Sequence, residues 1–129
     1  MTNRDICNAA IRLAGETTPT GVPDYLSRAT SLLAVICSEC ASLDAAYRTA
    51  HDLEDGSWVP CVSVDLDAAF PLCDLFSAPA AYGLAALLTL DENSALSETL
   101  YARFATFIGE IRQEIPAKSH PVTDVYHLI

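Results

Sequence analysis

DENSALSETLYARFATFIGEIRQEIP, Asp91 to Pro116, is the stretch from which the fold is read. Its apolar side chains fall at Leu96, Leu100, Phe104, Phe107, Ile108, Ile111 and Ile115. Steps of three and four residues bring all of them to one face of an α-helix. Glu98, Arg103, Glu110, Arg112 and Glu114 take the other face. Asn93 or Ser94 can cap the start, because a short polar side chain accepts from an N–H that the first turn leaves unpaired. Pro116 stops the helix, having no N–H to donate and a ring that clashes with the preceding turn. A stripe this large has to be covered, so the rest of the chain must supply a surface for it.

The nearest candidate is the segment just before. Residues 78–90, APAAYGLAALLTL, are apolar nearly all round, which marks a central, buried helix. Asp74 or Ser77 can cap it, and Pro79 is tolerated in a first turn. The short turn at Asp91–Asn93 predicts an antiparallel hairpin of these two helices. Upstream, residues 3–14 predict a first helix with Thr2 or Asn3 as cap and Gly15 at the left-handed position that ends many helices. Ile6, Ala10 and Leu13 form its narrow apolar face, widened by Cys7, Ile11 and Ala14. Glu16–Pro23 reads as a loop. Asp24 then caps a long second helix, reaching about Thr49, in which Leu26, Ala29, Leu33, Ile36, Cys37, Cys40, Leu43 and Tyr47 keep helical spacing. Ser38 and Ser42 weaken its local propensity, so a break is expected near Ser42.

From Trp58 to Asp67 the period changes to two. Val62, Val64 and Leu66 alternate with Ser63, Asp65 and Asp67, the pattern of a strand. A lone strand needs a partner, and the other extended, β-prone segment is Pro121–Leu128. The two are expected to pair with each other or with another subunit. The resulting reading is all-α: a four-helix, bundle-like domain over residues 1–116, with a small β element at about 58–67 and an extended C-terminal arm, 117–129.

Seven Lys and Arg against seventeen Asp and Glu give a formal charge of −10. That sign repels nucleic-acid phosphates and anionic lipid, and no basic cluster reverses it locally. No secretory signal is legible in MTNRDICNAAIRLAGE. The apolar run between Asp74 and Asp91 is broken by Ser77 and Pro79 and falls short of the ~20 residues of a membrane span. Five cysteines, an odd number in a chain able to build its own core, read as reduced thiols in a cytoplasmic protein.

No reactive constellation stands out. Cys37 and Cys40 form a CxxC, but mid-helix on an apolar face rather than at a helix N-terminus, where the dipole would favour a thiolate. Cys61 and Cys73 are too widely spaced to complete a zinc site. The expectation is core thiols, no metal and no cofactor. Asp65 and Asp67 share a strand face without a nucleophile or His beside them, which suits the solvated side of an edge strand. Asp52, Glu54, Asp55 and Gly56 fail as a calcium loop, with the glycine one place early and no glutamate at the twelfth position. His51, His120 and His127 belong to no catalytic motif. Trp58 and Tyr126 flank the two extended segments and read as core or interface anchors. Candidate interface residues are Trp58, Val62 and Val64, with Val122, Val125 and Tyr126 of the arm.

The order of these parts resembles a family. A short helix ends in Leu13–Ala14–Gly15–Glu16, a long helix and a β-like connector follow, and an apolar helix leads into the acidic turn Leu88–Glu92. An amphipathic helix then ends at Ile115–Pro116, and the arm carries Asp124–Val125–Tyr126. Together they are similar to the head–tail connector (adaptor) proteins of tailed bacteriophages and prophages. The resemblance implies a non-enzymatic virion-assembly subunit that forms a ring beneath the portal protein, joins a neighbouring tail or stopper protein, and can stay monomeric alone. It implies a place in the host cytoplasm and then in the virion neck. A different reading is a small helical interaction or regulatory module of a mobile element. The CxxC is not a feature associated with the family.

Overall fold

The computed structural model describes residues 1–15 and 23–115, and the predicted arm with Val122, Val125 and Tyr126 lies outside them. The described residues hold four α-helices: α1 (Asn3–Leu13), α2 (Pro23–Ala50), α3 (Ser77–Thr89) and α4 (Ser94–Gln113). A 3₁₀ turn, Asp74–Phe76, leads into α3. The chain is all-α.

The architecture radiates from α3. Pro79, Ala80, Ala81, Gly83, Leu84, Ala85, Ala86, Leu88 and Thr89 are all buried, so α3 is covered on nearly every side. Helices α1, α2 and α4 each pack on it, and α1 also touches α2. Small side chains make this possible. A Cβ added to Gly83 would stand 2.9 Å from Phe104 of α4 and 3.0 Å from Ile36 of α2. Thr89 hides its hydroxyl by donating back to the Ala85 carbonyl, and Ser97 of α4 donates across to the Ala86 carbonyl.

Helix α4 starts where predicted, with Asn93 Oδ1 accepting from the Leu96 N–H at 3.1 Å. It ends at Gln113, three residues before Pro116. Leu100, Phe104 and Ile111 are buried, whereas Leu96, Phe107, Ile108 and Ile115 are only half-buried. The stripe is wider than the single helix that covers it.

Helix α2 runs 28 residues without the break expected near Ser42. Ser38 and Ser42 are exposed, while Ala29, Leu33, Ile36, Cys37 and Cys40 form a continuous buried face. Packing along that face outweighs the few tenths of a kcal/mol that two serines cost. The helix begins at Pro23, the position where proline fits best, so Asp24 lies inside the first turn rather than ahead of it.

The small β element is the main correction. Residues 58–67 form no strand. The alternation holds only in part, since Val64 is buried, Leu66 half-buried, and Ser63, Asp65 and Asp67 exposed, but Val62 is exposed as well. The hydrogen bonds, however, go to helices. The N–H groups of Asn3 and Arg4, which an isolated helix would leave unpaired, donate to the carbonyls of Ala68 and Leu66 at 3.0 and 2.9 Å. Thr2 and Asp5 complete the end as a capping box. The Val64 N–H donates to the Thr30 carbonyl, and a single β-bridge joins Thr2 to Ala69. A connector that bends at 62–63 and turns at 66–67 can satisfy its carbonyls by capping a helix instead of joining a strand, because they need donors of any kind.

An ion pair of α2 with a buried carboxylate ties down both ends of this connector, residues 51–73. Asp44, only 3% exposed, accepts from Arg48 Nε and from the Cys73 N–H, both at 2.9 Å. Arg48 also donates to the Glu54 carbonyl at 3.0 Å. Asp44→Ala leaves a guanidinium and an N–H without their acceptor, and is expected to cost about 3 kcal/mol in chemical denaturation. Asp67→Ala, which removes only the exposed pair with Arg4, should cost under about 1 kcal/mol. Gly83→Ala should destabilise by about 1–3 kcal/mol through overpacking. Gly109→Ala, where a Cβ meets nothing within 4 Å, should be neutral or raise stability by up to about 1 kcal/mol.

Candidate docking surface

Three helices cannot close around a fourth. Helix α4 packs on α3 and has no comparable contact with α1 or α2 among the described residues. One groove opens between α2 and α4, and a second between α1 and α3. The α2–α4 groove, of about 370 Å³, is walled by Cys40, Leu43, Phe104 and Ile108, with Glu39 and Arg112 on opposite rims. The α1-side groove, of about 470 Å³, is walled by Ile6, Ala9 and Leu13 of α1 and by Ala78, Ala81 and Tyr82 of α3. Asp5 and Arg12 stand at its edge. Tyr82 is held by α4: its ring lies 5.6 Å from that of Phe107, and the Arg103 guanidinium stacks over both rings, at 5.9 and 4.9 Å. Stacking of this kind fixes a guanidinium while leaving its N–H edge free for an anion.

The connector adds exposed apolar residues on another side. Leu53, Val59 and Val62 are 47%, 71% and 88% exposed. Cys61 and Val62 lie over the outer face of α2, beside Ser31, Val35 and Ser38. Asp52, Glu54 and Asp55 stand exposed in the same connector.

Of the described interface candidates, Val62 alone presents its side chain to solvent. Val64 is buried in the hydrophobic core, and Trp58 is half-buried against it with its indole N–H enclosed and unpaired among the described residues. Of the groove residues, helical spacing marks Leu43 and Ile108 as core-facing and does not single out Tyr82 or Tyr101. Tyr101, 58% exposed, sits one residue off the apolar stripe of α4, which is the one sequence signal that could have drawn attention to it.

The cysteines lie where the helical spacing places them. Cys7, Cys37 and Cys40 are buried in the core. Burial pushes the Cys7 thiol up to about 11 and those of Cys37 and Cys40 up to about 12, because a thiolate there would lose its hydration. Burial and the neighbouring Asp44 carboxylate raise Cys73 to about 11. Among the described residues, no three His, Cys, Asp or Glu side chains gather where they could hold a metal ion. Asp65 and Asp67 have local partners: Asp65 Oδ1 accepts from the Asp67 N–H, and Asp67 pairs with Arg4. His51 Nε2 lies 3.2 Å from the Glu114 carbonyl, joining the ends of α2 and α4. Helix α2 is long and apolar enough to cross a membrane, with 39% of its most apolar stretch buried. It also carries the Asp44–Arg48 pair and packs on α1 and α3, as a core helix does.

Comparison with family models, with curated proteins and with solved structures finds no match for this chain.

Alkylation with iodoacetamide at pH 8 checks the thiols. Cys61, which is exposed, should react first and Cys73 more slowly. Cys7, Cys37 and Cys40 should react only when guanidinium unfolds the chain, since few of them are thiolate at that pH. Rapid native labelling of Cys37 or Cys40 would contradict this placement of the core.

Proposed function

We propose that this chain is a non-enzymatic assembly subunit, a head–tail connector (adaptor) of a tailed phage or prophage that docks on the portal protein and helps join head to tail. The observation that carries the proposal is the one-sided hold on α4. A folded helical domain that leaves a groove along one flank of an amphipathic helix, and a second apolar groove between α1 and α3, offers surface for protein partners. The order of elements that resembles the connector family names the partner class. The charge of −10 is suited to a ring through which DNA must pass without being gripped. In this reading the protein uses no cofactor and does not read nucleic-acid sequence. It waits in the host cytoplasm, monomeric or nearly so, and becomes a ring in the virion neck.

Native mass spectrometry of the chain mixed with the portal protein encoded beside it tests the proposal. The expected product is a symmetric complex with many copies of this chain. A discrete one-to-one complex would instead favour a regulatory module. Deleting residues 117–129 should preserve cooperative thermal melting, since every contact described above lies within the first 115 residues, and should weaken assembly. A truncated chain that no longer melts cooperatively would count against the division into domain and arm.

A further inference from the structure

We infer that residues 117–129, which lie outside the described residues, cover the α1–α3 groove of their own molecule. The chain thus carries a built-in competitor for a protein partner at that groove. The competitor role rests on the docking reading above; the contact itself does not.

The groove and the segment each have apolar surface to cover. Ala9 and Leu13 of α1 and Tyr82 of α3 are only half-buried along the groove, and Ala78 at its edge is exposed. In the segment, Val122, Val125, Tyr126, Leu128 and Ile129 fall close together. Its β-prone pattern called for residues 58–67 as partner. Those residues form no strand, and the carbonyls of Leu66 and Ala68 already accept from the N–H groups of Arg4 and Asn3. The apolar side chains of the segment therefore need a different cover.

The tether selects this groove. Ser97 donates to the Ala86 carbonyl and Phe107 lies against Tyr82, so α4 runs antiparallel to α3 and its last turns return to the start of α3. Ser77 and Ala78 line the groove there, and Tyr82 is both a wall of the groove and the ring that Phe107 touches. From Phe107 to Ile115 the helix axis advances about 12 Å. Residues 116–122 can span up to roughly 23 Å when extended, so Val122 reaches the groove with chain to spare. A guest on so short a tether meets its site at an effective concentration of about millimolar. The α2–α4 groove is the poorer host: Glu39, Ser42 and Arg112 stand in its walls, and the His51 contact with the Glu114 carbonyl crosses its end.

Charge permits the contact. The chain carries −10 and would repel an acidic guest, but residues 117–129 hold one lysine, Lys118, and one aspartate, Asp124. At the groove edge Asp5 is engaged with the Thr2 N–H and hydroxyl, whereas Arg12 forms no ion pair among the described residues and can take Asp124. A partner that uses the groove must displace the segment, so its apparent affinity falls by the fraction of molecules whose groove is open.

Paramagnetic broadening in the full chain tests the contact. A nitroxide is attached at Thr123→Cys in a Cys61→Ser, Cys73→Ser background, where the remaining thiols are the buried ones. The amide signals of Ala9, Leu13 and Ala81 should broaden most, and those of Ser31 and Ser38, on the outer face of α2, should stay sharp. Isotope-labelled chain without nitroxide, mixed with unlabelled chain that carries it, should show no broadening at the groove. Val125→Asp in the segment and Ala78→Trp at the groove edge should each abolish the broadening of Ala9 and Leu13 while leaving the circular dichroism spectrum unchanged. Broadening strongest at Leu43, Ala105 and Ile108 would put the segment in the α2–α4 groove and overturn the inference. Broadening in the mixture would assign the segment to a neighbouring molecule, and uniform or absent broadening would leave the groove open; either result overturns it as well. A chain that assembles on the portal without these signals loses this contact and keeps the adaptor proposal. One that shows them and ignores the portal does the reverse.

Discussion

The α3 helix has no polar side to turn toward water, and the other helices are arranged by the need to cover it. Nine of its thirteen residues are buried, most of them Ala or Leu. Each aliphatic side chain removed from water contributes on the order of 1.5–3 kcal/mol, so exposing even one face would forfeit several such terms. The covering helices approach closely because Gly83 and the alanines present almost no side chain. Close approach has a consequence. Helices that sit tightly on a thin central rod diverge from one another, so covering α3 leaves a groove between α2 and α4.

Polar groups are satisfied in a way that follows from this plan. The long connector between α2 and α3 has no sheet to join, yet its backbone must find partners. It finds them at the N-terminus of α1, which has spare donors, and at the Asp44–Arg48 pair, which supplies an acceptor for Cys73 and a donor for Glu54. The two ion pairs of the connector differ for a physical reason. Asp44 is enclosed and would be costly to leave alone, whereas Arg4 and Asp67 face solvent, where screening makes their attraction nearly negligible. The connector is thus held firmly at both ends and displays its middle. Trp58 turns inward there, and Val59 and Val62 turn out.

The functional reading rests on surface rather than on chemistry. The buried thiols are held protonated by the apolar packing that surrounds them, and the exposed carboxylates of the connector are spread along it. What the molecule offers to others is shape and charge: two grooves and a connector that carries exposed aliphatic side chains and carboxylates. Protein surfaces of this kind gain affinity from the apolar centre and orientation from the charges around it.

Much of this was legible from residue order. The three-and-four spacing of Leu96 to Ile111, the polar caps Thr2 and Asn93, the turn at Asp91–Asn93 and the apolar run of α3 are local signals, and local physics decides helices. The all-α class, α1 with its left-handed Gly15 (φ +99°) and the α3–α4 hairpin follow from them. Two local signals misled. Ser38 and Ser42 suggested a break in α2, but propensity loses to a continuous buried face. The alternation of residues 62–67 suggested a strand, but the backbone bends at 62–63 and turns at 66–67, and Val62 is exposed. A period of two does not say what the backbone will pair with. Pairing is a long-range choice, and here the N-terminus of α1, more than sixty residues away in sequence, supplied the donors. The grooves were equally invisible in one dimension, because a groove is the space that helices fail to share. The sequence by itself determined which segments are helices and which faces want burial. The tertiary structure decided which of those faces were covered, because three helices around α3 cannot all touch one another.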